Sequence, residues 1–128
     1  MVKMLKRISK FFSVFVGLAI INVWLFRAGR STSYRGGNAT NLMDEFEVYG
    51  LDDYFLIIGV IKVSLAIILL LSLYFNKLSF FASSGIAIMM LVAVYMHISV
   101  GDELIKSIPA SILLISSLII AYSAKRTK

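Results

Sequence analysis

The sequence predicts an all-α fold: an integral membrane four-helix bundle with a short amphipathic helix in its first extracytoplasmic connection. Three observations carry that reading. Of 128 residues, 59% are hydrophobic and only 16% charged, with a mean hydropathy of +0.90, whereas a water-soluble domain holds about 45–50% apolar and about 25% charged residues. The apolar residues gather into four long stretches, and cations and acids separate onto different connections between them. The excess apolar surface therefore has to face lipid, and the whole chain, 1–128, reads as one membrane domain. The same composition excludes disorder. With no cysteine, disulfides, thiol redox chemistry and thiolate metal sites are excluded as well. One histidine and seven scattered carboxylates do not provide the three or four donors of a protein metal site, so no metal is expected.

Each stretch is measured against the roughly 20 residues needed to cross about 30 Å of hydrocarbon. The first, 8–26, is interrupted by Lys10 and Asn22; the second, 54–75, contains Lys62. The third, 78–100, ends near His97, and the fourth, 108–124, carries Pro109 in its first turn, where a missing amide proton breaks no helical bond. Inside lipid every backbone amide must be satisfied within its own segment, so these stretches are helices.

Lys and Arg resist translocation and collect on the cytoplasmic side. Lys3, Lys6, Arg7, Lys10, Lys77, Lys125, Arg126 and Lys128 flank the spans at the termini and second connection, without an acid among them. All seven acids lie in the first and third connections, with Arg27, Arg30, Arg35 and Lys106. Both termini are expected in the cytoplasm. The net charge of +6 does not indicate nucleic acid, because the cations are juxtamembrane with no polar domain behind them; the expected partner is the anionic inner leaflet of the bilayer. The basic and then apolar amino end also has the outline of a signal peptide. Its apolar run exceeds the usual 7–15 residues, however, and Phe26-Arg27-Ala28-Gly29-Arg30 offers no small-x-small cleavage site. An anchor is expected.

The connection 27–53 is too long for a simple helical hairpin. Gly36-Gly37-Asn38 signals a turn; Thr40 or Asn41 then caps a short helix whose Asp44 and Glu45 suit the positive end of its dipole, and Gly50 stops it. Leu42, Phe46 and Tyr49 share one face. This amphipathic helix either covers a site as a lid or simply packs the connection at the interface. Asn38-Ala39-Thr40 spells a glycosylation acceptor, a spelling that arises readily by chance.

Lys62 lies eight positions past Tyr54, roughly 12 Å along the helix. A lysine near the bilayer centre costs about 2.5–3.5 kcal/mol on insertion scales. Three fates satisfy it: snorkelling to the outer interface, pairing with an acid, or binding an anionic or carbonyl group of a ligand. Gly59 and Ala66 share its face and are small enough to admit a neighbouring helix or a ligand. His97 lies about one turn below the outer end of the third span, either as a hydrogen-bonded structural residue or as a proton carrier. Arg27, Arg30, Tyr49, Tyr54 and Asp102 belong to the same outer layer, so the candidate ligand-binding or proton-relay set is these five with Lys62 and His97. The inner half offers Lys10, Asn22 and serines of the fourth span; Ser117 and Ala121 read as a small-xxx-small packing pair.

Arg35-Gly36-Gly37-Asn38-Ala39, Glu45-Phe46, Tyr49-Gly50-Leu51, the Lys62-bearing span, Met96-His97, Asp102 and Lys106-Ser107-Ile108-Pro109-Ala110 together resemble the DoxX-like family of small four-helix membrane proteins, over about residues 25–120. Asp52 and Glu103 stand where family members often carry proline. The resemblance implies a bacterial cytoplasmic membrane and proximity to membrane redox systems, since the family takes its name from a thiosulfate:quinone oxidoreductase subunit, while most members have no assigned activity. Distant relatives of similar architecture look like assembly chaperones or cargo receptors.

Two readings follow. In the first, a quinone or other amphiphile enters from lipid, its carbonyl oxygen accepts a hydrogen bond from Lys62 or an outer arginine, and His97 relays a proton. No intrinsic cofactor is expected, so electrons would come from a partner, and a stand-alone enzyme is not expected. In the second, the chain is a non-catalytic assembly or scaffold protein that docks membrane or extracytoplasmic proteins. A solute carrier fits less well, for want of an inverted repeat or broken helices. A homo-oligomer is compatible with every reading.

Overall fold

The computed structural model describes residues 2–26, 41–50, 52–99, 101 and 104–126. Helix α1 spans Val2–Ile21 and continues through a π-helical segment, Asn22–Phe26. A short helix α2, Leu42–Tyr49, is followed by a 3-10 turn, Asp52–Tyr54, which leads into α3, Phe55–Leu71. Helices α4, Lys77–Ser99, and α5, Leu104–Arg126, complete the chain. Among the described residues there is no strand. Glycines end α2 and α4: Gly50 and Gly101 both have φ of 74°, the left-handed conformation that glycine adopts without steric cost just past a helix.

Helix lengths depart from the apolar stretches for local reasons. The first helix starts at Val2 rather than residue 8, because Lys and Arg are good helix formers and carry the helix on beyond the apolar run. The second long helix has only 17 residues of the expected 22. It stops at Leu71, where the Ser72 hydroxyl donates to the Leu69 carbonyl and the chain turns, a local bond that competes with helix continuation. Helix α5 begins at Leu104, so Pro109 lies inside it rather than in its first turn. Apolarity marks where hydrocarbon begins, and the helix starts before it because Lys106 and Ser107 are helical as well. Three segments, Lys3–Phe26, Lys77–Ser99 and Ile105–Arg126, are long and apolar enough to cross a membrane, and the shorter α3 accompanies them.

The four long helices close a ring: α1 packs on α3 and α5, and α4 packs on the same two. At its centre lie Val16 and Ile20 of α1, Leu65, Ala66 and Leu69 of α3, Ala82, Ile86 and Met90 of α4, and Ala110 and Ile120 of α5. The alanines, with the fully buried Ser83 and Ser117, bring helix backbones close, the packing mode available where water supplies no hydrophobic drive. The outside is as apolar as the inside: Leu56, Ile88 and Leu118 are among many exposed aliphatic side chains on all sides. That surface suits hydrocarbon, not water, and the molecule is a membrane-embedded helical bundle. The Ser123 hydroxyl donates to the Leu5 carbonyl across 3.2 Å, which ties the two chain termini to one end of the bundle. Helix α2 lies at the other end.

Candidate functional site

The densest convergence of functional chemistry lies where α1, α2 and α3 meet. Phe55, Gly59, Lys62 and Ala66 recur along α3 at helical spacing and form one stripe. Opposite them α1 widens into its π segment, a geometry that often marks functional positions, and there it presents Trp24. A Cβ on Gly59 would stand 2.6 Å from Cζ3 of Trp24, well inside van der Waals contact. Glycine at 59 is therefore what lets the indole lie against the α3 backbone.

Two phenylalanines enclose the indole. Phe55 lies 5.1 Å from Trp24 at a tilt of 36°, and Phe46 of α2 meets Trp24 edge-on at 5.6 Å. Phe46 and Phe55 make a further edge-on pair at 5.1 Å. Each such pair contributes about 0.5–1.5 kcal/mol beyond area burial, which is how an eight-residue helix, too short to be stable alone, is held to the bundle. Phe46 is accordingly buried.

The Lys62 ammonium sits 5.6 Å from the centre of the Trp24 ring system. Half-buried, it is turned toward the indole of α1, and a desolvated cation over an aromatic face gains about 2 kcal/mol or more. That is comparable with the insertion cost of a membrane lysine on the lower scales. The site thus combines a three-donor cation with flat aromatic walls, covered by Phe46 of α2. It is chemically suited to a planar ring carrying an oxygen acceptor.

The remaining candidates are placed as follows. His97 is buried in the last turn of α4. Leu65 packs against the position a Cβ on Gly85 would take, so in this antiparallel pair Lys62 is level with about residue 88, and His97 stands roughly 14 Å nearer the α2 end. The structure does not bring these two side chains together. Tyr54 is exposed just before α3 and Tyr49 is the last residue of α2. Arg27, Arg30 and Asp102 lie outside the described residues, as do Thr40 and the Gly36-Gly37-Asn38 turn. An apolar furrow of about 440 Å³ runs along Leu91, Val92, Val94, Tyr95 and Ile98 of α4, away from Lys62. No group of three or more metal-ligating side chains occurs among the described residues.

Sequence reasoning missed Trp24 and Phe55 as site residues. The signal was available, since Trp24 is the chain's single tryptophan at the end of a span, where aromatic belts form. No curated protein and no solved structure matches the chain. A description of the DoxX-like family does match, over residues 14–120, a range that contains α3 and α4 whole, α1 and α5 in part, and the whole aromatic junction. By that match, and by the membrane bundle that accompanies it, the chain belongs to the DoxX-like family.

Proposed function

We propose that this DoxX-like protein is a membrane-embedded binding subunit for the ring-bearing head of a quinone-class amphiphile, working with a redox partner that supplies electrons. The observation that carries the reading is the Lys62 ammonium held over Trp24 beneath the short helix α2. A ligand carbonyl oxygen accepts a hydrogen bond from Lys62 Nζ, and its ring takes the place of Phe46 against Trp24 and Phe55 once Phe46 withdraws. The tail leaves toward lipid. His97, at the α2 end, exchanges protons with the aqueous side, and Tyr54 stands exposed at that same end. In this reading both termini face the cytoplasm of a bacterial inner membrane, as the cation distribution favours.

Trp24, being the single tryptophan, reports directly on the site. Titrating the purified protein with a short-chain quinone should quench its emission saturably. Lys62→Met should weaken the binding about tenfold, equivalent to one charge-assisted hydrogen bond, while His97→Ala should leave it unchanged. Linear, non-saturable quenching in the unmodified protein would end this reading.

A second reading, a non-catalytic assembly or scaffold protein, is favoured by how completely Trp24 already fills the space against Gly59. It predicts that reversing the exposed charge of Glu47 abolishes a co-purifying complex that survives Lys62→Met.

A further inference from the structure

Toward the chain termini, α1 loses one of its two neighbours. A Cβ on Gly17 would lie 2.7 Å from Cγ of Leu70, and α3 ends one residue later, at Leu71. Helix α1 runs on from Gly17 to Val2, about 22 Å further. A notch is left there, bounded by the overhanging α1, the end of α3 and the start of α4.

The side of α1 that faces this notch is basic. Lys3, Lys6, Arg7 and Lys10 recur at i, i+3, i+4 and i+7, and all four are exposed. Lys10 is seven residues and Lys3 fourteen residues before Gly17, so the cation stripe lies on the same helix face as the Gly17–Leu70 contact, directly below the end of α3. Lys77, exposed, opens α4. Tyr74 and Phe75, in the turn between α3 and α4, are 85% and 62% exposed. No acid competes at this end, because every Asp and Glu of the chain falls between 44 and 53 or at 102 and 103. Within a little over two turns above Lys10 the same helix exposes Phe11, Val14 and Leu18, Val14 being about one turn on.

We propose that the notch is a seat for an anionic phospholipid. The phosphate lies among the stripe cations, the glycerol region lies beside Tyr74 and Phe75, and the acyl chains run along Val14 and Leu18. An acidic protein or a nucleic acid would be matched by the cations alone. The change from four cations to exposed aliphatic side chains within a little over two turns selects a partner that is charged at one end and hydrocarbon at the other. The inference is independent of the quinone reading, which concerns the opposite end of the bundle.

The test uses the full chain reconstituted into phosphatidylcholine vesicles with a trace of spin-labelled phosphatidylglycerol or spin-labelled phosphatidylcholine, comparing the motionally restricted fractions. The expected result is a preference of about fivefold for the anionic lipid, falling toward unity as salt is raised to about 1 M. The combined variant Lys3→Gln, Lys6→Gln, Arg7→Gln, Lys10→Gln should abolish the preference, whereas Lys125→Gln with Arg126→Gln, at the same end but on α5, should keep most of it. If the combined variant does not fold, as judged by circular dichroism, Arg7→Gln and Lys10→Gln singly should each lower the preference. Equal association of the two lipids, loss of the preference in the α5 variant to the same degree, or stronger displacement by a soluble oligonucleotide than by unlabelled phosphatidylglycerol would each overturn the proposal.

Discussion

The hydroxyl of Ser117 is fully buried and is the one buried side-chain oxygen or nitrogen without a hydrogen-bond partner among the described residues. An unsatisfied buried hydroxyl costs about 1–3 kcal/mol. Ser117→Ala is therefore expected to leave stability unchanged or raise it by about 1 kcal/mol, whereas Ser123→Ala, which removes the donor to the Leu5 carbonyl, should lower it by about 1 kcal/mol. Thermal unfolding in detergent distinguishes these signs, and equal losses in both variants would contradict the assignment. Gly59→Ala tests the aromatic junction in the same way. Its methyl would collide with a rigid indole, so a loss of about 1–3 kcal/mol is expected, with a change in Trp24 emission that a remote packing defect would not produce. Lys62 was legible from sequence because a charge inside an apolar span has an unavoidable energetic cost. Its partner was not. Nothing in the spacing of residues 24 and 62 relates them until two helices are set in register.

At the scale of elements, α2 shows how far periodicity reaches. Its amphipathic face, with Phe46 in the middle, follows from spacing alone, and Gly50 ends it as expected. Where that face docks depends on the ring pair waiting at Trp24 and Phe55. Removing the anchor should free the helix: Phe46→Ala is expected to shift Trp24 emission to the red and to raise its quenching by aqueous iodide, with little loss of total helix by circular dichroism. Unchanged accessibility would mean that α2 does not cover the indole. Element ends were less legible than element existence. Apolarity marks where hydrocarbon begins, but a helix continues through Lys and Arg at α1 and through Lys106 at α5, and it stops early at α3, where Ser72 bonds back to the preceding turn.

For the molecule as a whole, the separation of cations from acids along the chain agrees with the bundle, since the Leu5–Ser123 contact puts both termini at one end and α2 lies at the other. The absence of cysteine makes orientation directly measurable. With Lys125→Cys and Glu47→Cys introduced singly, an impermeant maleimide added to intact cells is expected to label the second and to reach the first only after lysis. The reverse pattern would invert the topology and would put the anionic lipid seat and the quinone site in the opposite leaflets.

The sequence by itself determined that this is a membrane protein of four long helices with a fifth short one, because the transfer of apolar side chains and the burial of backbone amides depend on composition and length and need no knowledge of neighbours. It also singled out Lys62. Only the tertiary structure decided what Lys62 faces, that Gly59 and Gly17 set the approach of α1 to α3, and that the shortness of α3 leaves the basic stripe of α1 uncovered. Those outcomes depend on steric fit between residues distant in the chain, where one missing Cβ fixes the register of two helices.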